Sequence, residues 1–459
     1  MEKYMTVREI YEGVSSKEDL EGQEVIIDGW ILNNRFMGKM GFLTFNDGTC
    51  FKSAQLVYSS STPAFEVIEK LRLGCSVTIT GKIHLTPNAK QAFDIELSKL
   101  TLVGDVEDTY PLQKKKTSFE FLRTIPHLRP RTNTFRAVYR VRSILAMAIH
   151  EFFQGEGFVY VHTPILTSND CEGAGETFQV ASDILHPEDY FGKKVTLTVS
   201  GQLHVEPFCT AFRDVYTFGP TFRAEKSNTT HHACEFWMIE PEIAFADLDD
   251  DIDLMEDFLK YIVQYVLTNC PDEIDFFDQR IEPGLKEKLH RFINEPFNRL
   301  SYTEAIELLK KAQKEGFQFK DNDIKWGKSL ESEHERYLTE HVFNGPLFLT
   351  DYPKESVAFY MKQNEDGKTV ANVDLLVPGI GELCGGSQRE EDLAKLEQAM
   401  KDRNMNLEAY DWYADLRRYG SVPHAGFGLG FERMVQYVTG MSNIRDVEAY
   451  PRSYKECDF

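Results

Sequence analysis

Several absences narrow this sequence before any motif is read. Its eight cysteines, Cys50, Cys75, Cys171, Cys209, Cys234, Cys270, Cys384 and Cys457, form no C-x-x-C pair and lie far apart. That spacing excludes a zinc knuckle and a disulfide framework and leaves reduced, mostly buried thiols. No run approaches eighteen apolar residues, and the opening MEKYMTVREIYEG carries no apolar stretch of signal-peptide length. The chain is therefore expected to be soluble and cytoplasmic, with no membrane partner. Glycine loops of the familiar phosphate-binding kinds are missing: GFGLGFER is followed by no G-K-[ST] and lacks a full G-x-G-x-x-G. Basic residues are in deficit, 51 Lys and Arg against 73 Asp and Glu, a net charge of -22. Such a balance counts against nucleic acid.

One stretch runs against that deficit. From Pro111 to Arg142 nine basic residues (Lys114, Lys115, Lys116, Arg123, Arg129, Arg131, Arg136, Arg140 and Arg142) meet a single acid, Glu120. With 459 residues, 42% of them hydrophobic, the chain can bury a large core and exceeds one ordinary domain.

The first hundred residues read as short strands. EVIIDGWIL, GFLTFNDG, KSAQLVY, SVTITGKIHLT and FDIELSKLTLVG are rich in β-branched and aromatic residues and are punctuated by Gly, Asn and Asp. Between the third and fourth, Phe65, Ile68, Leu71 and Leu73 make a helical stripe that Gly74 ends. Three strands, a helix and two strands is the order of an OB-fold β-barrel, whose open face takes single-stranded nucleic acid on aromatic platforms. Arg35, Phe42 and Gln55 are the candidates for that face, although Phe42 in an alternating strand reads equally as core.

From Thr132 the period changes. Val141, Ile144, Leu145, Ala148, Ile149 and Phe152 fall on one face of a long amphipathic helix. Further on, FRAEKSNTTHHACEFWMIEPE reads as a hairpin in which Phe236, Met238 and Glu240 share one face of a strand. With Arg223 on the partner strand, that face offers a guanidinium fork for carboxylate or phosphate and an aromatic plate for a base. An ordinary surface pair has the same appearance. HAGFGLGFERM spaces glycines ahead of Arg433, so a strand passes close to another backbone and then starts a helix carrying a cation. In DLLVPGIGELCGGSQRE, Asp374 and Glu382 are hard oxygen donors suited to Mg²⁺ on phosphates, or else a solvated acidic pair.

Together these pieces resemble the three signature motifs of class II aminoacyl-tRNA synthetases. FVYVHTPIL resembles the first, FRAE…EFWMIEPE the second and GFGLGFER the third. An OB-fold ahead of them is the arrangement of the aspartyl, asparaginyl and lysyl subgroup. TPILTSNDCEGAGETFQV, EFWMIEPE, DYPKESVAFYMK and LLVPGIGELCGGSQREE look like asparaginyl-tRNA synthetase in particular, and the likeness runs through essentially the whole chain. The resemblance implies an α+β homodimer. An OB-fold anticodon-binding domain would span residues 1–105, a basic hinge or linker 106–131, and a class II catalytic domain 132–459, its mainly antiparallel sheet interrupted by a helical insertion at about 246–340.

The same resemblance implies a ligase that joins L-asparagine to tRNA(Asn) with ATP and Mg²⁺, and it assigns roles. Arg223 would bind the amino-acid carboxylate and the α-phosphate, Phe236 would stack under adenine, and Arg433 would cover the base and hold the γ-phosphate. Asp374 and Glu382 would hold Mg²⁺. Glu172, Ser200 and Gln202 would receive the α-amino group, and Arg35, Phe42 and Gln55 would meet the anticodon. Arg389 would donate to the side-chain oxygen of asparagine and Glu240 would accept from its NH₂, where aspartate would set two carboxylates against each other. Aspartyl enzymes carry a lysine at the position of Val205, so a lysine introduced there is expected to draw the preference toward aspartate. His231 stands where the family more usually has arginine, with a partly protonated His231 or the retained His232 as a substitute at the phosphates. Two rival readings are a non-discriminating enzyme, disfavoured by Val205 and Glu240, and an inert nucleic-acid-binding paralogue, disfavoured by the presence of Arg223, Glu382 and Arg433.

Overall fold

A computed structural model describes residues 3–115, 117–171, 176–181, 190–227 and 229–459. The chain divides into two compact units, residues 1–137 and 138–459.

In the first unit, β1 (Lys3–Tyr4) pairs parallel with β2 (Glu24–Met37), after the helix α1 (Val7–Ser15). β2 is followed by β3 (Met40–Asn46), β4 (Ala54–Ser59), the short helix α2 (Phe65–Ile68), β5 (Ser76–Leu85) and β6 (Phe93–Gly104). The order is β1-β2-β3-β4-β6-β5, and a β2–β5 pairing closes the barrel. Alternation does the rest: Val25, Ile27, Leu43, Phe45, Leu56 and Ile79 point into one core. The expected OB-fold is present. Helix α1 was not legible as an element, although Thr6 and Glu9 form a capping box at its start and Val7 and Ile10 bury its inner face. The stripe expected to run to Gly74 stops at Ile68, because Asn34 Nδ2 donates to the carbonyls of Ile68 and Leu71 (2.8 and 3.2 Å) and takes acceptors that a longer helix needs.

The second unit is built on one eight-stranded sheet. α3 (Asn133–Gly155) leads to β7 (Val159–Tyr160); β8 (Leu166–Thr167) and β9 (Thr196–Leu197) form a separate ribbon, and α4 (Gln202–Phe212) precedes the hairpin of β10 (Asp214–Phe222) and β11 (Glu235–Ala244). Then come α5 (Leu248–Asn269), β12 (Asn298–Ser301), α6 (Ser332–Arg336), β13 (Leu347–Thr350), β14 (Asn372–Val377), β15 (Gly381–Gln388), α7 (Asp411–Arg418), β16 (His424–Gly430) and α8 (Phe431–Thr439). The order is β12-β13-β14-β15-β16-β11-β10-β7, antiparallel from β13 to β10 and parallel only at the two ends. One face is covered by α3 and α5, where Phe153 and Phe258 meet at 4.7 Å and Phe258 lies 5.9 Å from Phe427 of β16.

The segment 246–340, set aside above as a helical insertion, is built into this fold. α5 lies under the sheet and β12 extends it in parallel with β13. Its acidic surface composition hid a buried face of Ile252, Met255, Phe258, Leu259, Ile262 and Val266.

Candidate active site

The face of the large sheet opposite α5 is a tray with a floor of glycine. Gly385 pairs with Gly428, Ser387 with Gly426, and Gly426 with Glu242. A Cβ on Gly426 would lie 2.3 Å from the Pro241 carbonyl oxygen and one on Gly428 2.7 Å from Met238 Cε, so the two glycines of β16 leave room for the side chains that β11 raises. These are Phe236, Met238, Glu240 and Glu242, on the one face that its alternation allows.

One end of the tray is a cavity of about 230 Å³ lined by Arg223, His232, Phe236, Met238, Glu382 and Arg433, among others. The Arg223 guanidinium carbon lies 5.4 Å from the Phe236 ring centroid. Arg433, in the first turn of α8, donates from Nη1 to the Glu382 carbonyl at 2.8 Å and sits 3.5 Å from Glu382 Oε2. Its neighbour Glu432 fixes that turn: it accepts from Trp237 N at 2.9 Å and pairs with Arg142 at 2.6 Å.

At the other end Glu240 is buried, accepting from Gly201 N at 2.8 Å and from Ser200 Oγ. Gln202 is also buried, and its Nε2 has no hydrogen-bond partner among the described residues, a donor that a bound ligand would satisfy. Arg389 lies beyond. Its Nε and Nη2 grip Glu242, its Nη1 donates to Ser387 Oγ at 2.7 Å, and its guanidinium covers Tyr360 at 5.2 Å. Arg389 is expected to meet a substrate oxygen; its main partner here is Glu242, the last residue of EFWMIEPE, to which the resemblance assigns no role. Behind this pair Glu206 is wholly buried against Arg417 (2.9 Å), His424 (2.7 Å) and Tyr413. Burial alone would raise the Glu206 carboxyl, but Arg417 and His424 outweigh it and hold it below the usual carboxylate range. Glu172 lies outside the described residues.

Asp374 and Glu382 converge over the tray. A Cβ on Gly385 would lie 3.0 Å from Glu382 Oε1 and 3.3 Å from Asp374 Oδ1. Burial and the nearby Glu382 charge push the Asp374 carboxyl well above its ordinary value. Glu335 of α6 approaches the same corner, its Oε2 3.1 Å from a Cβ built on Gly381, and burial together with Glu382 pushes it up to about 7. Crowded carboxylates of this kind fit a hard divalent cation, which removes their mutual repulsion. Among the described residues no group of three or more His, Cys, Asp or Glu makes a metal cage, so further ligands would have to come from substrate and water.

Burial and the Arg433 charge lower both His231 and His232, so neither is a protonated substitute for arginine at neutral pH. On the barrel, Arg35 faces Phe42 across the β2–β3 pairing and its guanidinium lies 5.6 Å from that ring, while Gln55 pairs with Thr44 one step away. Phe42 is half-buried on the face opposite Leu43 and Phe45, which decides against the core reading. Gln55 donates to Asp94 Oδ1 at 3.1 Å. The basic strip is partly structural: Arg129 is fully buried with its guanidinium 4.4 Å from Phe135, and Arg142 holds Glu432.

Residues 119–454 match the family described as tRNA synthetases class II (D, K and N), and residues 25–103 match an OB-fold nucleic acid binding domain. The asparagine–tRNA ligase of Alkaliphilus oremlandii is 52% identical over the full length of both chains, and that of Acetivibrio thermocellus 53% identical over 96% of this chain and 97% of its own. The chain belongs to the asparagine–tRNA ligase family. Among solved structures, the asparaginyl-tRNA synthetase of Pyrococcus horikoshii complexed with asparaginyl-adenylate superposes with a TM-score of 0.84, at 35% identity over 95% of this chain and 96% of that one.

Val205 does not stand where a lysine could meet a substrate carboxylate. Val205 is fully buried in α4, packed with Val161, Cys209, Val215 and Ala244. It reaches the core, because i and i+4 on a helix share a face and Cys209 is buried with it. Val205→Lys is therefore expected to bury an unpaired ammonium and cost at least about 3 kcal/mol of stability, leaving the asparagine-to-aspartate preference of any folded protein unchanged. Urea unfolding and activation kinetics on the same sample check this; a stable variant that gains aspartate would restore the original expectation.

Proposed function

We propose that the chain activates L-asparagine with ATP to asparaginyl-adenylate and transfers the asparaginyl group to the 3′-terminal adenosine of tRNA(Asn). The observation that carries this reading is the pairing of an Arg223, Phe236 and Arg433 pocket with a buried Glu240 on one glycine-floored face.

Asparagine's carboxylate is already a nucleophile, so the first step needs alignment and charge neutralisation rather than a general base. Arg223 would hold that carboxylate against the α-phosphate, with adenine stacked on Phe236. An oxygen of the carboxylate attacks the α-phosphorus and pyrophosphate leaves, its charge met by Arg433. Asp374 and Glu382 would hold Mg²⁺, which when bound neutralises phosphate charge, and Glu335 stands next to them. The tRNA hydroxyl then attacks the carbonyl of the adenylate and AMP leaves.

Ser200, Gln202 and Glu172 are assigned to the α-amino group. Glu240, which accepts from Ser200 and Gly201, would take a hydrogen bond from the amide NH₂ of asparagine while repelling the carboxylate of aspartate. Arg389, held flat by Glu242, would present an Nη hydrogen to the side-chain oxygen. His232 would stay with ATP as a neutral ring. The test is pyrophosphate exchange: label is expected to enter ATP only with asparagine, and equal exchange with aspartate would overturn the specificity assigned to Glu240.

The domain roles follow, with residues 1–105 on the anticodon, 106–131 as hinge and 132–459 as the catalytic body. Phe42→Ala is expected to cost about 1–3 kcal/mol in tRNA recognition, with asparagine activation and melting temperature nearly unchanged because the ring is off the core. A large drop in melting temperature would return Phe42 to the core. A cytoplasmic homodimer is proposed as well: Val159 of the edge strand β7 and the paired rings of Phe208 and Phe212 are exposed on the catalytic unit. Sedimentation at the monomer mass would count against it.

A further inference from the structure

At position 231 the hairpin carries histidine where the resemblance leads to arginine, so one cation is missing from the rim of the nucleotide pocket. His231 does not replace it. Its Nδ1 lies 3.4 Å from Gln436 Oε1. The Gln436 amide is oriented by its Nε2, which donates to the carbonyls of Met441 (3.2 Å) and Thr230 (3.4 Å), so the oxygen is the atom turned toward His231. An amide oxygen only accepts, which places the ring proton on Nδ1 and leaves Nε2 an acceptor. Burial, with the charges of Arg433 and Arg336, disfavours a second proton. An imidazole in that state has no donor left for phosphate.

The structure places another cation beside it. α6 and the helical turn that follows it lie along the turn between β14 and β15: Glu335 of α6 packs on Gly381, and Glu340 of the following turn accepts from Gly379 N at 3.3 Å. Glu382 follows that turn, and its carbonyl holds Arg433. Arg336, next to Glu335, is thus carried on the segment that borders Glu382, and its charge is one of those that disfavour protonation of His231. Its side chain is 64% exposed, and among the described residues its one ion pair is with Glu340 at 3.8 Å, longer than a hydrogen bond. A guanidinium this lightly engaged retains its fork of donors, the geometry that suits phosphate.

We propose that Arg336 binds the terminal phosphates of ATP at the mouth of this pocket, in place of the arginine that the hairpin lacks at position 231. The proposal rests on the reading of the pocket as the ATP site. With adenine on Phe236 and the α-phosphate at Arg223, the triphosphate leads past Arg433 and Glu382, and α6 is the element beyond them.

Calorimetric titration of the full chain with ATP and with AMP tests it, since AMP lacks the phosphates in question. Arg336→Ala is expected to weaken ATP about tenfold, the low end of what hydrogen bonds to a charged partner contribute, and to leave AMP affinity and the KM for asparagine unchanged. Adding His231→Arg to that variant is expected to restore ATP affinity. An Arg336→Ala chain that binds ATP as tightly as the parent, or that loses ATP and AMP equally, overturns the proposal. A parent chain that binds neither nucleotide overturns the ATP-site reading itself, which separates the two failures.

Discussion

Replacing Arg433 with alanine is expected to slow ATP-dependent activation by about 10²–10³-fold, the range seen when a preorganised donor to developing charge is removed. The preference for asparagine over aspartate should stay as it was. Arg433 belongs to the nucleotide end of the tray, held to the Glu382 carbonyl, whereas the groups assigned to the amide, Glu240 and Arg389, stand at the other end. The substitution should not endanger the fold. Both Arg433 and Glu382 keep access to solvent, and the α8 turn is held by Glu432 through Trp237 and Arg142. Steady-state pyrophosphate exchange, run against ATP and against each amino acid, reads both quantities. A shifted preference with normal ATP kinetics would show that the two ends have been assigned the wrong way round.

The second large effect is on stability. Arg389→Ala is expected to cost about 3–5 kcal/mol, because it leaves Glu242 as an uncompensated charge with no exposure to water. The sign with pH follows. Burial raises the Glu242 carboxyl even with Arg389 beside it, and losing that cation raises it further above its unfolded value, so the protonated form is favoured on folding. The variant should therefore be least impaired at acid pH and lose stability as pH rises through the raised value. Urea unfolding across pH measures this, and Arg389→Met combined with Glu242→Gln is expected to recover much of the loss. An Arg389→Ala chain as stable as the parent at neutral pH would mean that the guanidinium is not what keeps Glu242 buried.

What could be read from sequence followed periodicity and local chemistry. The alternation of GFLTFN and AQLVYS fixed which residues fill the barrel, and the same alternation put Phe236, Met238 and Glu240 on one face. Glycines 426 and 428 announced a close backbone approach that the register bears out. What stayed hidden depends on contacts distant in sequence. Glu242 is two residues beyond Glu240, yet only the β11–β16–β15 register reveals that it faces Arg389. Glu335 and Arg336 come from a stretch whose acidic, helical composition carried no motif. The expectation for Val205 failed because a family resemblance gives a residue's place in the chain but not its helical phase, and the apolar Cys209 one turn on was the available signal. The sequence also gave no reason to end α2 at Ile68, which depends on Asn34 from another strand.

The central claim is that this chain joins asparagine, and not aspartate, to tRNA. Charging of tRNA(Asn) and tRNA(Asp) side by side, with the attached amino acid identified after alkaline release, tests it most directly. The account predicts asparagine on tRNA(Asn) and no product on tRNA(Asp) with either amino acid; aspartate released from either tRNA would contradict it.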